Sequence, residues 1–381
     1  MIKSCYIHIP FCNKICSYCD FPKIYNIKKF KNKYLDSLEK EIDSIYKGET
    51  LDTIYVGGGT PSCLDIDELE RLFNIIKKLK VSDKLEYTIE GNFESTTKEK
   101  LDLYKEYGIN RLSFGLESTN KDNLLFMDRE LNKEEVINKI NYCKEIGIDN
   151  INIDLIYAIP NETIDILKKD IDFIKELDIN HISTYSLIIE PHTKLSINKT
   201  QSIDVDVDTK MYEYICRKLK SLGFNHYEIS NFAKPGYESK HNTCYWDNKR
   251  YYGFGLGASS YIDNRRITNT RSINKYIDGN FRLDEEIVNT HDEIEYEILL
   301  NLRKNTGINL FDFKKKFHKN LIDLYDYNYL LDKGYLILKD DNLFIPEAKW
   351  YVSNEIIVEL LEGENNGLWK RIWNGIKLYK W

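Results

Sequence analysis

An alternation fills the first half of this chain: a short apolar strand, a turn, then an amphipathic helix, repeated. Strands are predicted at 5–9, 53–56, 86–90, 111–116, 151–156 and 181–188, with helices near 31–46, 65–79, 97–107, 133–146 and 164–177. Between 133 and 146, Val136, Ile140 and Cys143 recur at helical spacing, and Gly147 stands where a C-terminal cap belongs. Alternating strands and helices imply a parallel sheet of α/β class. Two architectures fit, a doubly wound open sheet or a barrel-like (β/α) array, and six units fall short of a closed eight-stranded barrel.

In either architecture the chemistry gathers at the C-terminal ends of the strands. Cys12 follows the first strand and Gly57-Gly58-Gly59-Thr60-Pro61 follows the second. Glu90 ends the third, Glu117 ends the fourth, and Asp154 lies within the fifth. The pattern changes after about residue 200. A polar segment is followed by a Gly- and Tyr-rich stretch, 223–277, and then by helices with a small hairpin at 335–338 and 343–346. The expected organisation is a partial barrel over 1–200, a linking segment over 201–290, a helical winged-helix-like lobe over 291–362, and a tail over 363–381.

Cys12, Cys16 and Cys19 share one loop at C-x3-C-x2-C spacing. Thiolates are the ligands of iron–sulfur clusters, and three of them reach three corners of a [4Fe-4S] cube. The fourth iron is left open, and the amino and carboxylate groups of S-adenosylmethionine suit it. An electron from such a cluster cleaves the sulfonium C–S bond and leaves a 5′-deoxyadenosyl radical. Zinc usually takes four ligands, often as two separated pairs, and no second pair follows. A thioredoxin-type motif is an isolated C-x-x-C. Cys5, Cys63, Cys143, Cys216 and Cys244 are expected to be small buried or partly buried residues.

Bulk properties agree with this chemistry. A chain of 381 residues, 42% hydrophobic and 30% charged, is ordinary for a globular protein with one large and one smaller domain. A net charge of −7 with dispersed Lys and Arg argues against nucleic acid as a partner. No apolar run approaches the roughly 20 residues that span a bilayer. The start, MIKSCYIHIPFC, lacks the long apolar segment of a signal peptide, so the expected location is cytoplasmic. Cysteines there stay reduced, which favours metal over disulfides.

YIHIPFCNKICSYCDF followed by YVGGGTPS resembles the radical S-adenosylmethionine superfamily, and more closely its oxygen-independent coproporphyrinogen III oxidase-like group. TIEGNFES, RLSFGLES, NIDLIYAIPNET, HYEISNFAKPGYESKHNTCYW and GFGLGASSY continue the likeness over about 4–262. The resemblance implies a partial (β/α)6 barrel with a C-terminal helical lobe. It implies that Tyr6 lies against the cluster-bound nucleotide and that Gly58 and Glu90 meet the first S-adenosylmethionine. Gly59 and Thr60 would meet a second molecule, held by Arg129 and Asp154. The family usually carries Gln where this chain has Glu117. A carboxylate only accepts hydrogen bonds, although Glu117 is able to pair with Arg129.

Two branches share these motifs. The oxidase branch has a further cysteine where this chain has Phe21, and a longer segment before the cluster than the eleven residues found here. Both differences point to the heme chaperone branch, whose H-N-x-x-Y-W motif appears as His241-Asn242-Thr243-Cys244-Tyr245-Trp246. Under that resemblance His241 is an axial heme ligand and Tyr245 and Trp246 stack on the porphyrin. The plainer reading has His241 capping a loop and Trp246 in the core. Carriage of heme to an apo-hemoprotein is then the expected function. The alternatives are oxidative decarboxylation of coproporphyrinogen III, or another heme-modifying radical reaction. A flavodoxin or ferredoxin as electron donor and a homodimer are further expectations. The tail NNGLWKRIWNGIKLYKW combines Trp369, Trp373 and Trp381 with Lys370, Arg371, Lys377 and Lys380, a composition that suits a membrane surface.

Overall fold

The computed structural model describes residues 1–362; the basic aromatic tail lies outside the described residues. Six parallel strands form its centre: β1 (Ser4–Ile9), β2 (Leu51–Gly58), β3 (Val81–Asn92), β4 (Arg111–Glu117), β5 (Asn150–Tyr157) and β6 (His181–Ser186). They pair in chain order, each parallel to the next. Crossover helices follow: α1 (Lys28–Ile45), α2 (Ile66–Ile76), α3 (Lys98–Glu106), α4 (Lys133–Glu145) and α5 (Ile164–Glu176). This is the expected (β/α)6 arrangement.

Local sequence sets the helix starts. Asp65 and Glu68 form a reciprocal capping box at α2. Thr97, Asn132 and Thr163 accept backbone N–H groups at the starts of α3, α4 and α5. Helix α1 has no such cap at Ile27.

The strands alternate with period two. Cys5, Ile7, Ile9, Ile54, Val56, Leu112, Phe114, Ile151, Ile153 and Leu155 all join the apolar core cluster on the helix side. The other face carries Tyr6, His8, Thr53, Tyr55, Glu86, Glu90, Arg111, Ser113, Asn152, Asp154, His181 and Ser183. The inner surface is therefore polar, and its groups must satisfy one another or a ligand.

The stretch expected to link two domains continues the sheet instead. β7 (Asn231–Ala233) pairs antiparallel with β6. β8 (Tyr251–Phe254) lies parallel to β1, with Cys5 opposite Tyr252 and Tyr6 opposite Gly253. β9 (Ser259–Ile262), β10 (Arg265–Asn269) and β11 (Arg282–Ile287) extend it as an antiparallel ribbon. Between them α6 (Val205–Ser221) buries Met211, Ile215 and Leu219, and the short helix α7 (Lys240–Trp246) carries the H-N-x-x-Y-W motif.

Two compact units result. The larger comprises Met1–Asn225, Ser230–Cys244 and Lys249–Ile287; the smaller contains His226–Ile229, Tyr245–Asn248 and the chain from Val288 on. The smaller unit holds the helices Thr290–Asn301, Leu310–Phe317 and Ser353–Glu362. Its three short antiparallel strands place Asn342–Phe344 between Ile308–Asn309 and Ile337–Lys339. Trp350 anchors it, its indole N–H donating to Ile345 O at 2.8 Å. Among the described residues, no helix is long and apolar enough to cross a membrane.

Candidate functional site

The cysteine loop is an excursion pinched at its base. Phe11–Cys12 pairs in parallel with Ile24–Tyr25, and Asn26 N–H donates to Cys12 O at 2.9 Å. Cys19 N–H turns back on Cys16 O at 3.3 Å. Ser17 ties the loop to the segment after β4: its N–H donates to Met127 O at 3.2 Å and its hydroxyl to Phe126 O at 2.9 Å. The three cysteines thus hang on the C-terminal rim, where sequence placed them.

No cysteine among the described residues is in a disulfide. Cys12 is buried, whereas Cys16 and Cys19 are partly exposed and help line a cavity of about 480 Å³. Lys14, Lys23, Tyr25 and His192 share that lining. Burial pushes the Cys19 thiol up to about 12, opposed by Lys23. Burial also raises Cys12, opposed by the Thr60 hydroxyl 3.6 Å from its sulfur, and Cys16, opposed by Arg129. Arg129 Nη1 lies 4.0 Å from Cys16 Sγ, and Lys23 Nζ donates to Cys19 O. Three thiols on one loop, two of them lining the cavity, with the cations of Arg129 and Lys23 beside them, fit a cluster whose thiolate complex is anionic. The other five cysteines are buried or partly buried, as expected.

The glycine run lies alongside. Gly58 has φ +120°, and a Cβ there would come within 2.5 Å of the His8 ring. A Cβ on Gly57 would meet the Glu90 carboxyl at 2.7 Å, so the run is what lets β2 pass these groups. Gly59 N–H donates to Ile9 O and Thr60 N–H to Phe11 O, each at 2.8 Å. Glu90 accepts from Gly58 N–H at 2.9 Å and from the Tyr55 hydroxyl at 2.8 Å. Burial raises its carboxyl to about 7. Tyr6 is buried, its hydroxyl 2.9 Å from His8 Nδ1. His8 Nε2 lies 2.7 Å from Pro22 O, which fixes the tautomer: Nε2–H donates and Nδ1 accepts from Tyr6.

Glu117 and Arg129 do pair. Both are buried, and Glu117 sits at φ +62° where β4 breaks register beside Gly115. Tyr18, inside the cysteine loop, donates to Glu117 Oε1 at 3.0 Å. Burial raises the Glu117 carboxyl to about 7, opposed by Arg129. Arg129 Nη2 donates to Gly115 O at 2.9 Å, while its Nε has no hydrogen-bond partner. Asp154 accepts from Asn152 Nδ2 at 2.8 Å, and burial raises its carboxyl. Tyr18, Lys23, Tyr55 and His8 were not singled out from sequence. The signal for Tyr18 was its place between two of the cysteines; for Tyr55 it was the inward phase of β2.

The H-N-x-x-Y-W residues lie elsewhere. His241 is 1% exposed in the larger unit, its Nδ1 2.8 Å from Thr53 Oγ1 near the start of β2. Burial lowers its imidazole to about 3. Tyr245 and Trp246 are buried in the smaller unit, where Trp246 packs with Leu300 and the Arg303 guanidinium lies 5.8 Å from its ring. The structure gathers Tyr6, Gly58, Gly59, Thr60, Glu90, Glu117, Arg129 and Asp154 on the barrel's inner face and rim with the cysteines. It does not bring His241 to that rim.

A three-cysteine loop over a partial barrel, flanked by a glycine run and inward carboxylates, defines a radical S-adenosylmethionine protein, and residues 6–174 match the Radical SAM superfamily. Its cofactors are accordingly a [4Fe-4S] cluster and S-adenosylmethionine. The chain is 38% identical to heme chaperone HemW of Lactococcus lactis, covering 85% of this chain and 87% of that protein. It is 37% identical to heme chaperone HemW of Bacillus subtilis, covering 93% and 98%. The chain belongs to the HemW family of the radical S-adenosylmethionine superfamily. Coproporphyrinogen III oxidase (HemN) from Escherichia coli shares its fold, with a TM-score of 0.83 at 21% identity over 94% of this chain and 89% of that one.

Proposed function

We propose that this protein is a heme chaperone: it binds a [4Fe-4S] cluster, S-adenosylmethionine and heme, and delivers heme to an apo-hemoprotein. One observation carries the reading: the Bacillus subtilis HemW relative matches 93% of this chain, and the cysteine loop lies within residues 6–174, which match the Radical SAM superfamily. Cys12, Cys16 and Cys19 hold the cluster, with Arg129 and Lys23 balancing its charge. Gly58 and Glu90 receive the first S-adenosylmethionine, beside Tyr6. Gly59, Thr60, Arg129 and Asp154 hold the second, with Glu117 fixing Arg129. When bound, the cluster supplies an electron to the sulfonium or an open iron to its amino acid end. Burial raises the Glu90 carboxyl, which accepts from Gly58 N–H and Tyr55.

The imidazole of His241 is buried against Thr53. Heme carriage therefore does not rest on it. A flavodoxin or ferredoxin as electron donor, a homodimer, and contact of the 363–381 tail with a membrane surface complete the proposal. Vesicle flotation with and without that tail tests the last part.

The deciding experiment is anaerobic. Reconstituted protein is counted for iron and sulfide, followed by EPR on adding S-adenosylmethionine, then titrated with heme and mixed with an apo-hemoprotein. Stoichiometric binding followed by transfer supports the reading. Conversion of coproporphyrinogen III to protoporphyrinogen under reductant and S-adenosylmethionine overturns it, and Phe21 in place of a fourth cysteine predicts none.

A further inference from the structure

The polar inner face of the barrel contains a connection that neither the cluster nor heme carriage accounts for. Thr53 and Tyr55 stand two residues apart on β2 and face the same way. His241 meets both: Nδ1 lies 2.8 Å from Thr53 Oγ1, and the ring stacks on Tyr55 with centroids 5.1 Å apart and planes 29° apart. The start of α7 is fixed to the neighbouring strand, because Glu86 accepts His241 N–H at 2.9 Å and Lys240 N–H at 3.0 Å. From Tyr55 the path continues upward. Its hydroxyl donates to Glu90 Oε1 at 2.8 Å, and Glu90 Oε2 accepts Gly58 N–H at 2.9 Å.

We propose that His241 is a positioning residue for the S-adenosylmethionine site, acting through Tyr55 and Glu90. The proposal rests on Glu90 and Gly58 being contacts of that nucleotide. A tyrosine with one face against an immobile ring keeps few orientations, and only one of them aims its hydroxyl at Glu90. His241 is held by its own backbone N–H and that of Lys240, both donating to the Glu86 carboxylate on β3, and by a side-chain bond to Thr53 on β2. Its neutral form suits the site, since burial first and the nearby Arg111 second disfavour a cation there. The histidine of the H-N-x-x-Y-W motif thus supports the glycine run from the opposite end of the barrel. Sequence reasoning could not separate this from heme ligation, because both need a neutral imidazole.

The test measures S-adenosylmethionine affinity of anaerobically reconstituted full-length protein, with iron content and melting temperature recorded alongside. His241→Ala is expected to weaken binding about three- to tenfold, the range an aromatic pair commonly contributes. His241→Phe, which keeps a stacking ring, restores most of it. Tyr55→Phe keeps the ring and removes only the hydroxyl. It weakens binding similarly, and combining it with His241→Ala adds little, as expected of residues acting in series. Unchanged affinity in His241→Ala, full additivity in the double variant, or no recovery in His241→Phe overturns the proposal. If His241→Ala fails to fold, Tyr55→Phe alone decides, and unchanged affinity there also overturns it. Glu90→Gln separates the two levels. If it leaves affinity intact, the placement of the nucleotide at Glu90 is wrong. If it weakens binding while the Tyr55 and His241 variants do not, only the positioning role fails.

Discussion

Glu117 Oε1 and Arg129 Nη2 lie 3.7 Å apart, both side chains almost wholly enclosed. The pair joins the end of a barrel strand to the segment that anchors the cysteine loop, since Tyr18 donates to the same Glu117 oxygen. Removing one member of a buried pair leaves the other charge without compensation, which typically costs about 3–5 kcal/mol. Arg129→Met is expected to destabilise the protein by about 3 kcal/mol. Adding Glu117→Gln should recover much of that, because the stranded carboxylate is gone while Tyr18 keeps an acceptor. Urea midpoints of the single and double variants check it; equal midpoints would mean the charge interaction contributes little.

Cysteine roles separate cleanly by substitution. Cys12→Ser, Cys16→Ser and Cys19→Ser should each abolish stable iron and sulfide incorporation. Cys63→Ser should retain both, although Cys63 is near the loop, its Sγ 3.3 Å from Phe11 O. Anaerobic iron and acid-labile sulfide counts read this directly.

Glu41 gives a pH-dependent signature away from the site. It is fully buried, and accepts from the Tyr276 hydroxyl at 2.5 Å, Gly255 N–H at 2.8 Å and Asn269 Nδ2 at 2.5 Å. Burial raises its carboxyl from 4.5 to about 7. The folded state therefore holds a proton that the unfolded chain releases near pH 4.5. Its contribution is complete below that pH and is lost as pH rises through about 7, by a total on the order of 3 kcal/mol. The buried neutral histidines act oppositely, losing stability as pH falls below their unfolded value. The comparison is thus between wild type and Glu41→Gln: wild type should lose more stability from pH 4.5 to 7.5. Parallel stability curves would refute the assignment.

Gly253 should tolerate no side chain. A Cβ there would stand 1.8 Å from the carbonyl oxygen of Ser259. The neighbouring strand cannot easily yield, because Ser260 Oγ bonds both Gly253 N–H at 2.9 Å and Gly253 O at 3.0 Å. Gly253→Ala is expected to cost about 3 kcal/mol or more, read as a lowered denaturant midpoint.

The six barrel strands were legible because each is a compact run bounded by turn residues, with a periodic helix between. β8 was not, because what defines it is a partner: Cys5 pairs with Tyr252 across about two-thirds of the sequence. The cysteine loop and the glycine run were legible because their chemistry is local. The Glu117–Arg129 pair was anticipated from complementary charge. His241 was harder. Its environment comes from Thr53 and Glu86, more than 150 residues away, and no local pattern tells an enclosed imidazole from an exposed one. The same holds for Trp246, whose neighbour Leu300 belongs to a later helix.

The unequal burial of the three thiols proposed to hold the cluster sets an itinerary for anything that arrives from outside. Cys12 is 5% exposed, tucked beneath Thr60 and the two-residue ladder, whereas Cys16 and Cys19 open onto the cavity. A scaffold donating preformed iron–sulfur must meet the outer two sulfurs first and the inner one last. Damage follows the same order: an alkylating reagent or dioxygen marks Cys16 and Cys19 while Cys12 is still shielded, so the earliest lesion leaves the innermost anchor chemically intact and open to repair.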